Sequence, residues 1–573
     1  MKKTILIAII TISIILASCT NQDITGAAIG IQQVQDRLVT SNPINIQVNP
    51  SDYWRSSLYP ENWEPGYTNE HGDFLHDFSY AGYHMGEKSI PSNPPGSIVD
   101  VTQPPYNADN TGQTDVTSVI QSAINDVGGN GGGVVYLPEG KYRVSPGNND
   151  ESLLISYSSV VLRGDGPDKT FIFNNDYYMR SKAVIRVQPQ GQTSWHWHSV
   201  LPGSERALIE DAGEGDFEVV LSSTQGINVG DWIVLTHDMT EDFINELGRP
   251  ELVDSWAGII DGVTFYRQVT SVSGNTITVD IPLRYFLKTR DNARIYKTNK
   301  HIEEVGVEHL SIGMRQHPGS GFGPNDYNVE GTAAYDVHNS YMLMYRNVLN
   351  GWVNNVHSYR PSVNAGNFHS VSNGLYFAFS RSITVNGTDI RRAQYRGGGG
   401  NGYAHRIECN DCLVKNSRGG EALEGGRDVR YAFDIARQFA SGNVIYNSDS
   451  YGYSDFHMHL SVSNLIDNVH MRRQPFLVNY RGSAGTIPHG VTTDQSVFWN
   501  HKSSGGVSEL YCEECSIFVN GQSDKIFVIG TSGNRPLVNG VLSRNRHRFE
   551  GIGEGETLLP QSLYIDQLQK RLS

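Results

Sequence analysis

The chain has 573 residues with a formal net charge of −15, and contains 60 Gly, 29 Tyr and five Cys. Its length supports a large core, and its acidity without any Lys/Arg run argues against a nucleic-acid-binding role. The charge is uneven: residues 341–481 carry 14 Arg and one Lys against ten Asp and Glu, a basic island that points to a bound anion.

The N-terminus has two lysines, an apolar run, and then Leu16-Ala17-Ser18-Cys19. A charged start, a short apolar core and a small-residue cleavage site read as a secretory signal, not a membrane span. The junction resembles the bacterial lipobox. That resemblance implies cleavage before Cys19 and lipid attachment there. Export follows, with anchoring to the outer membrane at its periplasmic or cell-surface face. No later apolar run is long enough to cross a bilayer. Residues 19–94 form an aromatic-rich extension whose LHDFSYAGYHMGE (75–87) either wraps the main body or edges a cleft.

Residues 98–145 hold an amphipathic stretch, TDVTSVIQSAIND (114–126), then a Gly-rich turn and VVYLPEGKY. VVLRGDGPDKTFI (160–172) reads as a further coil. Together they resemble the opening of the pectate-lyase-like right-handed parallel β-helix proteins, in which a short helix caps the first coil. The resemblance implies an all-β solenoid, with cap and first coils over 95–189, main coils over 301–555 and a tail over 556–573. It does not settle chemistry, because this scaffold hosts lyases, hydrolases and binding proteins. Residues 190–300 change texture to alternating strands with hairpin turns, as in SVSGNTITVDI (271–281), and read as an inserted small β-domain.

Beyond residue 350, short Asn/Asp/Gly segments flanked by β-branched residues recur. Aligned on Asn355, Gly387, Asp411, Asn443 and Asn468, their spacings are 32, 24, 32 and 25. Such repeats without helical periodicity fit stacked β-coils, with Asn and Gly at the corners. The alignment places Tyr345, Phe377, Phe433 and Met458 in one inward column. In a strand read through SDFHMHLSV (454–462), Asp455, His457 and His459 then face outward, beside Tyr376, Arg430 and Asp434 of neighbouring coils.

That set suits proton abstraction from C5 of a uronic acid. A cation neutralises the carboxylate, a base takes the proton, and an acid protonates the oxygen leaving C4. His457 or His459 is the expected base. Tyr376 is the acid or relay, Arg427 and Arg430 neutralise the carboxylate, and Asp434 or Asp455 orients a histidine. Arg391, Arg392, Arg473, Arg481 and His405 are further substrate-binding candidates. Glu421 and Glu424 are either site acids or loop charges. The pectate-lyase pattern of an Asp-rich calcium site with an Arg or Lys base is not matched: no Asp triplet stands out in 341–481, and Lys415 is its one lysine. A metal-independent elimination without cofactor is therefore expected. The two C-x-x-C pairs, Cys409/Cys412 and Cys512/Cys515, are about four coils apart, roughly 19 Å at the spacing of stacked strands, too far for one zinc ion. The expected activity is a lyase on an anionic, uronate-containing glycan. Alternatives are a dehydratase on a terminal uronate, a glycoside hydrolase using paired carboxylates, and a non-catalytic glycan-binding protein.

Overall fold

The computed structural model describes residues 52–191, 200–423, 426–482, 487–504, 515–520, 525–535, 537–539 and 548–573. Cys19 and Cys512 lie outside them. Residues from Tyr53 onward build one unit, a right-handed parallel β-helix with an antiparallel insert.

A twelve-stranded parallel sheet positions the site, and ten of its strands follow one another along its main path. They are β1 (Glu151–Ile155), β2 (Ala183–Val187), β3 (Tyr341–Arg346), β4 (Asn373–Arg381), β5 (Tyr403–Asn410), β6 (Tyr431–Ile435), β7 (Tyr453–Phe456), β8 (Phe476–Asn479), β9 (Cys515–Asn520) and β10 (Leu537–Asn539). Each pairs with the strand one coil later. The inward column is Tyr345, Phe377, Ile407, Ile435, Phe456, Val478 and Val519, all in the main core. The adjacent outward column is Met344, Tyr376, Arg406, Asp434, Asp455, Leu477 and Phe518.

This register corrects the alignment drawn from the corners. Phe433 stacks with Leu375 and His405, not with Phe377. Met458 lies beyond the end of β7, and the chain turns through left-handed backbone at His459 (φ 52°) and Leu460 (φ 58°). Two different corners were merged. In the long, nineteen-stranded sheet, Gly387, Asn416, Asn447 and Asn468 follow strands at positive φ and Asn355 takes the same conformation within the Trp352–Ser358 strand, while Asp411 and Asn443 precede strands. Asn side chains link one coil to the next, as Asn416 Nδ2 to Asn386 Oδ1 (3.0 Å) and Asn447 Nδ2 to Asn416 Oδ1 (2.8 Å).

The Thr117–Gly129 helix buries Ile120, Ala123, Ile124 and Val127 on the first coils. Gln121 there exchanges two 2.8 Å hydrogen bonds with the backbone of Leu154, satisfying the open edge of β1. The aromatic extension wraps the solenoid. Leu58, Tyr59, Trp63 and Phe78 pack with the C-terminal helix, Leu563–Leu572, on Leu413, Val444, Leu465 and Val497 of the long sheet.

The insert is a six-stranded antiparallel sheet running from Arg206 to Thr298. Its core of Ile233, Leu235, Phe243, Trp256, Phe265 and Ile295 takes in Leu460, Val462 and Val491 of the solenoid. A buried ion triad joins the two. Arg267 Nη1 donates to Asp411 Oδ2 (2.9 Å), and Arg284 Nε and Nη2 donate to Asp411 Oδ1 (3.0 and 2.8 Å). All three side chains are fully buried. Cys409 and Cys412 are buried thiols and Cys515 is in a disulfide.

Removing one partner from a buried ion network leaves an uncompensated charge and costs on the order of 3–5 kcal/mol. Asp411→Asn, which leaves two guanidinium groups without their carboxylate, is expected to lose about that much by urea denaturation. A loss under about 1 kcal/mol would refute the role given to the triad.

Candidate functional site

A groove of about 700 Å³ runs along the outer face of β3 to β6 and on to residues that follow β7 and β8. Its walls include Tyr341, Tyr376, Tyr403 and Tyr431, the guanidinium groups of Arg346, Arg406, Arg430, Arg437 and Arg481, and His338, His457 and His489. Among the described residues, no Asp or Glu lines it. The carboxylates lie underneath, because the outward column of β6 and β7 places Asp434 and Asp455 directly opposite each other, both fully buried.

His457 sits at the end of β7 above this pair. Its Nδ1 is 3.0 Å from Asp455 Oδ2 and 3.3 Å from Asp434 Oδ1. Arg481 Nη2 donates to the same Asp455 oxygen at 2.8 Å. Arg481 Nη1 also lies 3.1 Å from His457 Nδ1. Guanidinium can only donate, so that last contact and the carboxylates make opposite demands on the ring. Two buried carboxylates decide it: Nδ1 carries the proton toward Asp455, which leaves Nε2 as the acceptor on the groove side. Tyr403, Tyr431 and His489 surround the ring at centroid distances of 5.8, 5.9 and 4.9 Å.

The two carboxyls are split by their surroundings. Burial pushes Asp434 up to about 6, partly offset by His457 and reinforced by Asp455. Burial acts on Asp455 in the same sense, but His457 and Arg481 outweigh it and hold that group down at about 2. Both Asp434 oxygens are buried and, among the described residues, without a hydrogen bond. Burial, reinforced by neighbouring cations, also holds His489 near 3 and His459 near 4, so both are neutral rings.

A second network lines the next part of the groove. Arg406 chelates Glu408 Oε1 through Nε and Nη2 (2.9 and 2.6 Å), Arg437 Nε approaches it at 3.3 Å, and Tyr376 donates its hydroxyl to Glu408 Oε2 (2.7 Å). Burial would raise Glu408, but the two arginines hold it at about 2. Tyr376 is pushed well up by burial and then by Glu408. Arg430 differs from these arginines: it donates to the Gly397 carbonyl, and among the described residues it makes no salt bridge. Tyr403 Oη makes no hydrogen bond among the described residues, and Tyr403 is pushed well up by burial.

Of the residues read from sequence, His457, Tyr376, Arg430 and Arg481 line the groove, with Asp434 and Asp455 beneath it. His459 does not line it. It packs edge-on against Trp256 of the insert, 6.0 Å between centroids, and its buried Nε2 is unpartnered. His405 points into the solenoid, stacked on Phe433 and bonded to Thr388 Oγ1 (2.8 Å), because it shares the inward parity of Ile407. Arg391 and Arg392 are taken up by Glu421, and Arg391 also by Asp389, at the end of another sheet. Arg473 follows the His470–Met471 strand of the long sheet, outside the groove lining. Arg427 lies in a two-residue strand, Gly426–Arg427, its side chain outside the description. Glu424 lies outside the described residues. Sequence reading missed Arg406, Arg437, Glu408, Tyr403, Tyr431 and His489. A usable signal was the tyrosine opening β5, β6 and β7, which fixes their register at Tyr403, Tyr431 and Tyr453.

A calcium ion does not suit this place. Asp434, Asp455 and His457 present donor atoms within 4.8 Å of one another. Calcium takes six to eight oxygens, one of these three donors is a nitrogen, and Arg481 already neutralises Asp455. Arg406 Nε stands 3.6 Å from Asp434 Oδ2.

The split carboxyls give a signed prediction. Asp455 is depressed in the fold, so its stabilisation is present above its ordinary value of 3.8 and lost as pH falls toward about 2. Asp455→Asn is expected to cost about 3 kcal/mol at pH 7, with the gap to the parent narrowing from pH 4 to pH 2. Asp434 is raised, so its ionisation opposes folding as pH rises through about 6. Asp434→Asn is expected to leave stability at pH 7 unchanged or higher. Denaturant melts across pH check both, and equal losses for the two variants would refute the assignment.

Residues 99–205 match the family model described as rhamnogalacturonase A/epimerase, pectate lyase-like. Among curated proteins, alginate lyase 7 of Azotobacter vinelandii is 44% identical over 68 residues, 12% of this chain and 8% of that protein. A mannuronan C5-epimerase of the same organism is 45% identical over 62 residues, 11% of this chain and 4% of that protein. The chain thus spans under a tenth of the length of either relative. Among solved structures, the tailspike protein of Pseudomonas phage LKA1 has 11% identity and a TM-score of 0.41, covering 80% of this chain and 84% of that one. The A-module of an Azotobacter vinelandii mannuronan C-5 epimerase has 13% identity and a TM-score of 0.33, covering 79% of this chain and 100% of that one.

Proposed function

We propose that the chain removes the C5 proton of a uronate in an anionic polysaccharide or oligosaccharide and expels the C4 substituent, leaving a 4,5-unsaturated uronate. The observation that carries this is His457, held by buried carboxylates over a groove lined by arginines and free of acids. Arg430, with no carboxylate of its own, takes the substrate carboxylate and stabilises charge as C5–H breaks. His457 Nε2 accepts the proton while Asp455 keeps Nδ1–H in place. The C5–H electrons form the C4–C5 double bond, the C4–O bond breaks, and its oxygen takes a proton from Tyr403. Tyr376 is a poorer donor, because its hydroxyl already serves Glu408.

The sequence similarity to a mannuronan C5-epimerase favours one second reading, in which C5 is reprotonated from the opposite face and C4 keeps its substituent. A hydrolase needs a carboxylate pair reaching the substrate, and the groove lining offers none. Lipid attachment at Cys19 and export to the outer membrane belong to the same proposal, since such an enzyme meets its polymer outside the cell.

The test is ultraviolet absorbance of the C4–C5 double bond, followed on alginate, pectate and sulfated uronate glycans and their oligosaccharides. A rise with chain shortening supports a lyase, and a rise without shortening a dehydratase. Solvent deuterium entering C5 without any rise would move the reading to epimerisation. Binding without turnover on all substrates would overturn it. His457→Ala is expected to lose roughly 10²–10⁴-fold in kcat while keeping its circular dichroism, and His459→Ala is expected to retain activity within a few-fold.

A further inference from the structure

A second concavity, of about 670 Å³, lies on the long sheet, away from the groove-bearing strands. Its floor is Leu413, Lys415, Asn386 and Tyr446. One wall is the extension from Tyr83 to Ser92, and the other is the C-terminal helix at Tyr564, Ile565 and Leu568. Lys415 follows Leu413 and Val414 in a strand, where its backbone is paired between Asn386 on one side and Tyr446 on the other.

The Lys415 ammonium makes no hydrogen bond and no ion pair among the described residues. It is half-buried, and desolvation pulls its ammonium down with no nearby carboxylate to oppose it. A charge held this way costs stability and does nothing for the fold. Of the other charged residues of the cleft, Arg163 pairs with Glu308 and Glu87 with Arg571, while Lys88 stands exposed on the extension. The cation at the floor therefore lacks only an anion. Around it stand the Tyr446 ring, the apolar Leu413 and Leu568, and the amide edges of Asn354, Asn386 and Asn416. A sugar ring presents those three kinds of surface together: an apolar face, hydroxyls and, in a uronate, a carboxylate.

We propose that this cleft is a second, non-catalytic binding site for an anionic saccharide unit, with Lys415 taking the carboxylate or sulfate and Tyr446 taking the sugar face. The choice of a uronate rests on the reading of the groove, whereas the anion site itself does not. An outlying site of this kind would hold the polymer on the protein between catalytic events.

The test is calorimetric titration of the full chain carrying His457→Ala, which blocks turnover, with a saturated tetra-mannuronate. Two equivalents per chain are expected. Adding Lys415→Met is expected to weaken one of them about tenfold or more, the loss of one charge-assisted contact, and Lys415→Arg is expected to restore it in part. Lys415→Met in the otherwise unaltered chain is expected to melt at the same temperature or higher and to keep kcat unchanged. A binding isotherm that Lys415→Met and Tyr446→Ala both leave unchanged would overturn the proposal. Displacement by equimolar inorganic sulfate would also overturn it, reducing the cleft to a simple anion site. If the chain showed no turnover on any substrate yet lost binding with Lys415→Met, this site would stand while the lyase reading fell.

Discussion

The site depends on a salt bridge that does not touch it. Asp411 sits at a solenoid corner in left-handed backbone (φ 48°) and receives Arg267 and Arg284 from the insert, with no solvent on any of the three. Gly442 on the next coil makes room for this, since a Cβ there would stand 2.1 Å from Asp411 Oδ1. With the insert fixed, Trp256 donates to the Pro488 carbonyl (2.9 Å) and packs against His459. The Pro488–Gly490 segment in turn bonds back to Arg481 through paired 3.0 Å backbone hydrogen bonds. Arg481 and His489 thus reach the groove on a segment propped from behind by the insert. This is the outer layer of support that a precise site needs, and it explains why residues of the insert are absent from the groove lining.

The arginines of the groove divide by partner. Arg406 and Arg437 share Glu408, and Arg481 holds Asp455, so their charge is largely spent on keeping buried carboxylates ionised. Arg430 is tied to a carbonyl, a dipole and not a charge, and keeps its full attraction for a ligand. The basic island visible in the sequence is therefore mostly internal scaffolding, and the part aimed at a substrate is small.

The fold was legible because stacking imposes one demand many times over. Every coil must bury an apolar residue at the same height, and the opening coils carry a cap-and-turn pattern that resembles the start of a pectate-lyase-like solenoid. Register was less legible, because corner residues of two kinds share the same chemistry. Asp411 and Asn416 both suit a left-handed turn, yet they bracket the same strand. Aligning one with the other moved Phe433 by two positions and hid Arg406 from view. His405 shows the same limit: polarity alone made it a ligand candidate, while inward parity buried it against Phe433. His457 stands on the turn after β7 and not within a strand, so strand alternation alone does not account for its place at the groove.

Asp434 and Asp455 occupy matching positions on adjacent strands, equally buried and both within reach of one imidazole nitrogen. Nothing in their own chemistry separates them. The difference is Arg481, which reaches Asp455 and stabilises its anion, leaving Asp434 as the group that resists ionisation. A single guanidinium thus decides which of the two carboxylates is the anion that holds His457 Nδ1–H. Since the loop bearing that guanidinium is braced by the insert, the protonation pattern of the site is set by how a separate antiparallel sheet is docked onto the solenoid.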